Sequence, residues 1–136
     1  MTIIRGITMA KSNYTKAKEI TQETKEKVLK RQDYKSISGV SLTGKQVDFH
    51  HFVSRGCSGV GYEWNIVAIL PDEHRRLHDG CSIQVNGRDR YTPQEFETLI
   101  RNHFILNYNG WSEDKCKYKK HWEEKDYEVR IRNTKL

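Results

Sequence analysis

Four of the six histidines in this sequence lie between positions 50 and 78, and their spacing divides them into two pairs. His74 and His78 are four residues apart in a stretch that reads as helix, so their rings leave one face with Cβ atoms about 5–6 Å apart and can grip one cation. His50 and His51 are neighbours in VDFHHFV, whose alternation reads as a strand, where successive side chains point to opposite faces. If the helix packs on this strand, His50 closes a three-nitrogen site, the ligand number of a catalytic metal with open positions. The backbone sends His51 in another direction. A few ångströms away it can take a proton from an attacking water, a task suited to an imidazole whose ordinary pKa is about 6.5. One histidine of the pair then holds a metal while its neighbour handles a proton.

The elements that must position these rings follow from the local pattern. Lys45–Phe52 and the run WNIVAIL (Trp64–Leu70) read as two strands, and Ser54–Glu63, with Gly56, Gly59 and Gly61, is the loop that joins them as a hairpin. Pro71, the acidic Asp72 and Glu73, and Gly80 bound a short helix over Asp72–Asp79. Upstream, Ala17, Ile20, Val28 and Leu29 give Lys16–Arg31 a thin apolar stripe at helical spacing. Downstream, Thr92-Pro-Gln-Glu95 is a capping box opening a helix with Phe96, Leu99, Ile100, His103 and Phe104 on one face, stopped by Asn109-Gly110. Ser112 caps a further expected helix through about Trp122, with Trp111 and Trp122 as anchors, and the basic tail Asp126–Leu136 has no packing face.

A chain of 136 residues is one domain's length. The expected organisation is a single domain over 1–136, with a motif core at about 45–80, an N-terminal helical region at 11–33 and supporting helices at 92–125. With 24 Lys and Arg against 18 Asp and Glu, the net charge of +6 suits a polyanionic partner. No apolar run approaches the roughly 18 residues that span a membrane, and the first residues lack a signal peptide's apolar core, so no membrane association and a cytoplasmic location are expected. Cys57, Cys81 and Cys116 form no C-x-x-C pair and read as buried thiols rather than a disulfide framework or zinc knuckle.

This arrangement resembles the HNH nucleases, the ββα-metal or His-Me finger family. The residues that carry the resemblance are the pair His50-His51, Arg55 and Gly56 in the loop, Asn65 opening the second strand, His74 nine positions later, and His78. The version resembled is that of nuclease-type colicins, in which a histidine pair begins the motif and a helical His-x-x-x-His completes it. The resemblance covers roughly positions 28–80 and implies an α+β fold with a ββα-metal core, flanked by the N-terminal and C-terminal helices. It implies that His50, His74 and His78 ligate one divalent metal ion, that His51 is the general base, and that Asn65 braces the loop and helps orient His51. Asp48 stands where relatives often carry an acidic residue; it either steadies a ligand or is an exposed strand carboxylate.

Two departures matter. The C-x-x-C pairs with which many HNH proteins hold a structural zinc are absent, with Leu70-Pro71 and Glu73-His74 standing where one pair would lie, so flanking helices must supply the packing. Other relatives place an aspartate where His50 stands. Three imidazoles favour Zn²⁺, Ni²⁺ or Mn²⁺, and Mg²⁺ can act if phosphate and water complete its shell.

The implied reaction is hydrolysis of a DNA phosphodiester by one metal and one base. Arg55, Lys45, Arg75 and Arg76 surround the motif as candidates for phosphate contacts, Arg55 foremost because it matches a basic loop position of the family. Neighbouring positions on a helix are about 100° apart, so at least one of Arg75 and Arg76 faces solvent. No base-reading element is evident, which implies backbone-dominated DNA binding. Short stand-alone HNH proteins of this kind are encoded by bacteriophages, which would place the chain in the host cytoplasm. A homodimer or a phage protein partner is compatible with this but not readable. The rival expectation is a non-catalytic DNA-binding or accessory protein whose His50, His74 and His78 hold a structural zinc.

Overall fold

The hairpin expected around the histidine pair is formed by β1 (Asp48–His51) and β2 (Ile66–Ile69), antiparallel, with His50 opposite Val67 and His51 opposite Ile66. It belongs to a computed structural model that describes residues 12–132, a mixed α+β structure with small two-stranded antiparallel sheets. All four residues of β2 are buried. Val67 and Ile69 join one apolar cluster with Phe96, Ile100 and Phe104, while Ile66 and Ala68 join another with Val28 and Leu42. Both faces of β2 are covered, which is why its sequence is a continuous apolar run rather than an alternation.

β2 has β1 on one edge only. The other edge is closed by the end of α2 (Gln22–Arg31) and the residue after it: the Gln32 amide accepts from Ala68 N–H and donates to Ala68 C=O, both at 2.8 Å, and Arg31 donates to the Ile66 carbonyl at 2.6 Å. A side-chain amide here replaces a missing strand and pairs both backbone groups of Ala68. The apolar stripe read over Lys16–Arg31 belongs to two helices rather than one, α1 (Asn13–Lys18) and α2. Thr21 breaks the run because its hydroxyl accepts from Thr24 N–H and caps α2.

α3 (Pro71–Asp79) follows β2 directly, with Pro71 in its first turn and Gly80 at φ 74° ending it. Its register is set by Glu73, whose side chain, with the residue 1% exposed, accepts from Leu70 N–H at 2.9 Å, from Ser36 Oγ at 2.5 Å and from Ser38 Oγ. A hydrogen-bonded carboxylate thus ties α3 to the loop before β1, at the position where the sequence lacks a zinc-binding cysteine. Glu73→Ala strands three buried or half-buried donors; we expect a loss of about 2–4 kcal/mol, read as a fall of roughly 10 °C in melting midpoint.

After α3, a tight hairpin joins β3 (Ile83–Val85) to β4 (Arg88–Tyr91) through Asn86-Gly87, both at positive φ, a pairing typical of two-residue hairpin turns. α4 (Pro93–Asn107) is capped as its sequence demands, Thr92 and Glu95 bonding reciprocally, and buries Phe96, Ile100 and Phe104.

The helix expected over Ser112–Trp122 is not formed. Only a 3-10 turn at Glu113–Cys116 is present, because the following backbone pairs with the β1–β2 loop: Val60 N–H donates to Cys116 C=O and Tyr118 N–H to Ser58 C=O. Trp111 is an anchor, stacked on Phe104 and donating to the Trp64 carbonyl at 2.7 Å, whereas Trp122 is exposed. The tail does pack: Tyr127 is buried, and β6 (Arg130–Ile131) pairs with β5 (Tyr108–Asn109). Of the cysteines Cys116 is buried, while Cys57 and Cys81 are exposed. The tail beyond position 132 and the first 11 residues lie outside the described residues. No helix among the described residues is long and apolar enough to cross a membrane.

Candidate functional site

Alternation along β1 divides its polar side chains between two environments. His50 meets His74 of α3 edge to face, ring centroids 5.2 Å apart, and Asp48 Oδ2 lies 2.9 Å from His74 Nδ1. His50 is the more enclosed of the β1 pair: burial first, then the neighbouring His74 and His51 rings, push its pKa down to about 4, so it is a neutral imidazole at pH 7. Asp48 therefore touches a histidine instead of standing alone on the strand.

His51 faces a cleft of about 620 Å³ lined by Lys18, Lys25, Asp48, Arg55 and His74, among others. Its Nε2 lies 3.1 Å from the Lys18 carbonyl, and among the described residues its Nδ1 has no hydrogen-bond partner. Burial lowers its pKa, opposed by the Lys18 carbonyl and reinforced by the Arg55 charge. The ring is thus neutral at pH 7 with one nitrogen unbonded among the described residues, the state a proton acceptor requires.

Asn65 closes the base of the loop. Fully buried, it accepts from Val53 N–H at 2.7 Å and donates to the carbonyls of Val53 at 3.0 Å and Val60 at 2.7 Å. One amide thereby joins both ends of the segment carrying Arg55. Asn65 lies in a 3-10 turn (Glu63–Asn65) just before β2 rather than within the strand.

The three imidazoles do not converge. His78 is one turn along α3 from His74, but its side chain is 85% exposed and its Nδ1 lies 3.2 Å from Asp79. Among the described residues no group of three His, Cys, Asp or Glu side chains is placed to hold a metal ion. The contacts made are pairwise, His50 against His74 and His74 to Asp48, with His78 sharing a recess of about 250 Å³ with Asp48 and His74. Helical spacing puts His78 on the same recess as His74, with its ring against its own neighbour Asp79.

The basic residues also separate. Arg55 is exposed on the rim of the larger cleft. Arg75 and Arg76 both turn to the Asp72 carboxylate, at 2.5 and 2.9 Å, so each already has an anionic partner. Lys45 is exposed and does not line the cleft.

Several residues that shape the site carried no signal in the sequence. Lys18 and Lys25 bring two cations from the N-terminal helices to the cleft wall. Arg31 braces β2 and α4 behind the hairpin's outer edge, donating from Nε to His103 at 2.8 Å, and from Nη1 to the Glu63 carbonyl at 2.7 Å and Tyr108 Oη at 2.8 Å. Tyr108 in turn donates to the Glu63 carboxylate. A lysine-rich helix face predicts none of these specific partners.

No family model, curated protein or solved structure matches this chain.

Proposed function

We propose that the chain is a metal-dependent endonuclease of the HNH type that hydrolyses DNA phosphodiester bonds with His51 as general base. The observation that carries this reading is the split between adjacent side chains of β1. His51 lines an Arg55-rimmed cleft, its Nδ1 without a hydrogen bond among the described residues, while His50 packs on His74, which meets Asp48. The order β1, long loop, β2, α3 is compatible with a ββα-metal core, the finer fold assigned in this reading.

His50 and His74 are the residues that would hold the ion, with Asp48 orienting His74 and His78 as the third candidate ligand. Imidazole nitrogens beside a carboxylate suit Mn²⁺, Ni²⁺ or Zn²⁺, and Mg²⁺ when phosphate and water complete the shell. When bound, such an ion supplies charge stabilisation for phosphate and leaving-group oxygens. Arg55 and Lys25 hold the phosphate at the cleft, and His51 Nδ1 takes the proton of the water that attacks phosphorus.

Supercoiled plasmid incubated with the protein and Mg²⁺, Mn²⁺, Ni²⁺ or Zn²⁺ tests this. Nicked or linear product is expected with at least one ion, lost on chelation while the far-UV circular dichroism is retained. Absence of product with all four ions would overturn the nuclease reading. Unfolding on chelation would favour a structural zinc in a non-catalytic DNA-binding protein.

A further inference from the structure

We propose that the recess between α1 and the Tyr118–Trp122 segment stacks an unpaired nucleotide, so that the DNA this chain takes is a duplex carrying a single-stranded tail. The proposal rests on the nuclease reading for the cleft where the duplex lies, and on its own side chains for the recess. Tyr62, Tyr118 and Trp122 line the recess, about 480 Å³ in volume, with Lys16 and Lys120 on its wall. Both lysines are exposed. Rings on which bases stack, beside cations that follow the phosphates, are the composition of single-strand binding surfaces.

Trp122 is the residue that packing does not explain. Trp64 lies in the core and donates to the Lys115 carbonyl at 2.9 Å, and Trp111 donates to the Trp64 carbonyl at 2.7 Å. Trp122 is 42% exposed and meets Tyr127 edge to face, ring centroids 5.2 Å apart. A turn sets it there: its N–H donates to the Lys119 carbonyl at 3.0 Å, with His121 at φ 74° between them. A base laid on this indole removes apolar surface of both from water.

The recess is continuous with the cleft. Ser58 N–H donates to the carbonyl of Arg55, on the cleft rim, at 3.1 Å; the Tyr14 hydroxyl lies 3.4 Å from Ser58 Oγ, and the Tyr14 ring meets that of Tyr118 at 5.0 Å. Lys18 belongs to both, lining the cleft and holding its ammonium 4.0 Å from the centre of the Tyr14 ring. A strand leaving the cleft therefore passes Arg55, Lys18 and Tyr14 before it reaches Tyr118 and Trp122. Glu123 and Glu124 also line the recess. They repel a phosphate and accept from the amino group of cytosine or adenine, so the base enters and its phosphate stays with Lys16 and Lys120. Lys119 is not counted among these cations, because Asp114 holds it at 2.8 Å.

Dye-labelled duplexes of one sequence, blunt or with an unpaired 3′ or 5′ tail of about ten nucleotides, are titrated with the full chain in EDTA, so that cutting plays no part. We expect a tailed duplex to bind about tenfold more tightly than the blunt one and to quench indole fluorescence. Trp122→Ala should abolish both effects, and Trp122→Phe, which keeps a ring to stack on, should retain part of the affinity gain. If neither variant folds, Lys16→Ala combined with Lys120→Ala decides: the gain should shrink and depend less on salt. Equal affinity of the wild type for all three duplexes would overturn the proposal, as would a tail preference that the folded variants leave untouched. No binding to any duplex would overturn it as well. Failure of the nuclease reading looks different: tail preference with no cutting under any ion removes the nuclease and leaves the recess standing, whereas cutting without tail preference does the reverse.

Discussion

His51→Ala is expected to lower the rate of metal-dependent plasmid cleavage by about 10²–10⁴-fold while leaving the protein folded. The two halves of that expectation have separate causes. His51 contributes one described hydrogen bond, to the Lys18 carbonyl, and its ring lies half-buried along the wall of a solvent-filled cleft. Water reaches the freed carbonyl, so the stability loss is expected to be about 1 kcal/mol or less. The rate loss is larger because the carboxylates that line the cleft, Asp48 and Glu19, belong to a side-chain class less basic than imidazole, and the other imidazole has its own partner. His74 Nδ1 is engaged by Asp48, and Asp48 is therefore engaged in turn. Lys18, Lys25 and Arg55 are cations at neutral pH and accept no proton. Single-turnover cleavage, with equal melting midpoints as the control, measures both. A variant that cuts within tenfold of wild type would show that another group takes the proton.

The parts of this arrangement that could be read beforehand are those governed by neighbours in sequence. Thr92-Pro-Gln-Glu95 dictates its own capping box, and Phe96, Ile100 and Phe104 fall on one face by helical period alone. Pro71 and Gly80 bracket α3 for equally local reasons. Ser112–Trp122 shows the limit. Ser112 is an acceptable cap, but the Cys116 carbonyl and the Tyr118 N–H are taken by Val60 and Ser58, more than fifty positions away, and tertiary pairing overrides a weak helical preference. Gln32 and Arg31 make the same point from the side-chain end. Nothing in their identity says that an amide will complete the edge of β2 or that a guanidinium will bridge Glu63, Ile66 and Tyr108. The pair His50-His51 was legible because period-two alternation forces two environments on any strand. Lys18 was not, because its contribution is a backbone atom that every residue type possesses.

Asn65→Ala is the substitution expected to damage the fold most. Asn65 is 0% exposed, and its amide orientation is fixed by chemistry: Val53 and Val60 offer carbonyls, which only accept, so nitrogen faces them and oxygen faces Val53 N–H. Alanine deletes all three bonds and leaves a donor and two acceptors where water has little access, each worth about 1–3 kcal/mol when stranded. The expected loss is about 3–5 kcal/mol, a large share of the roughly 5–15 kcal/mol that holds a domain together. Asn65→Asp is no rescue. Its carboxylate keeps the bond from Val53 N–H but sets negative charge against two carbonyl oxygens, so it should unfold at least as easily. Urea titration of both variants measures this, and a midpoint corresponding to less than about 1 kcal/mol of loss would show the loop to be held from elsewhere. The consequence for activity follows the same backbone. Val60 precedes Gly61, whose N–H donates to the Ala17 carbonyl at 2.7 Å, so freeing the Val60 carbonyl loosens the tie between the loop and α1. At temperatures where Asn65→Ala is still folded, its cleavage should therefore fall by more than its folded fraction does, because the segment carrying Arg55 has lost the amide that joins its ends.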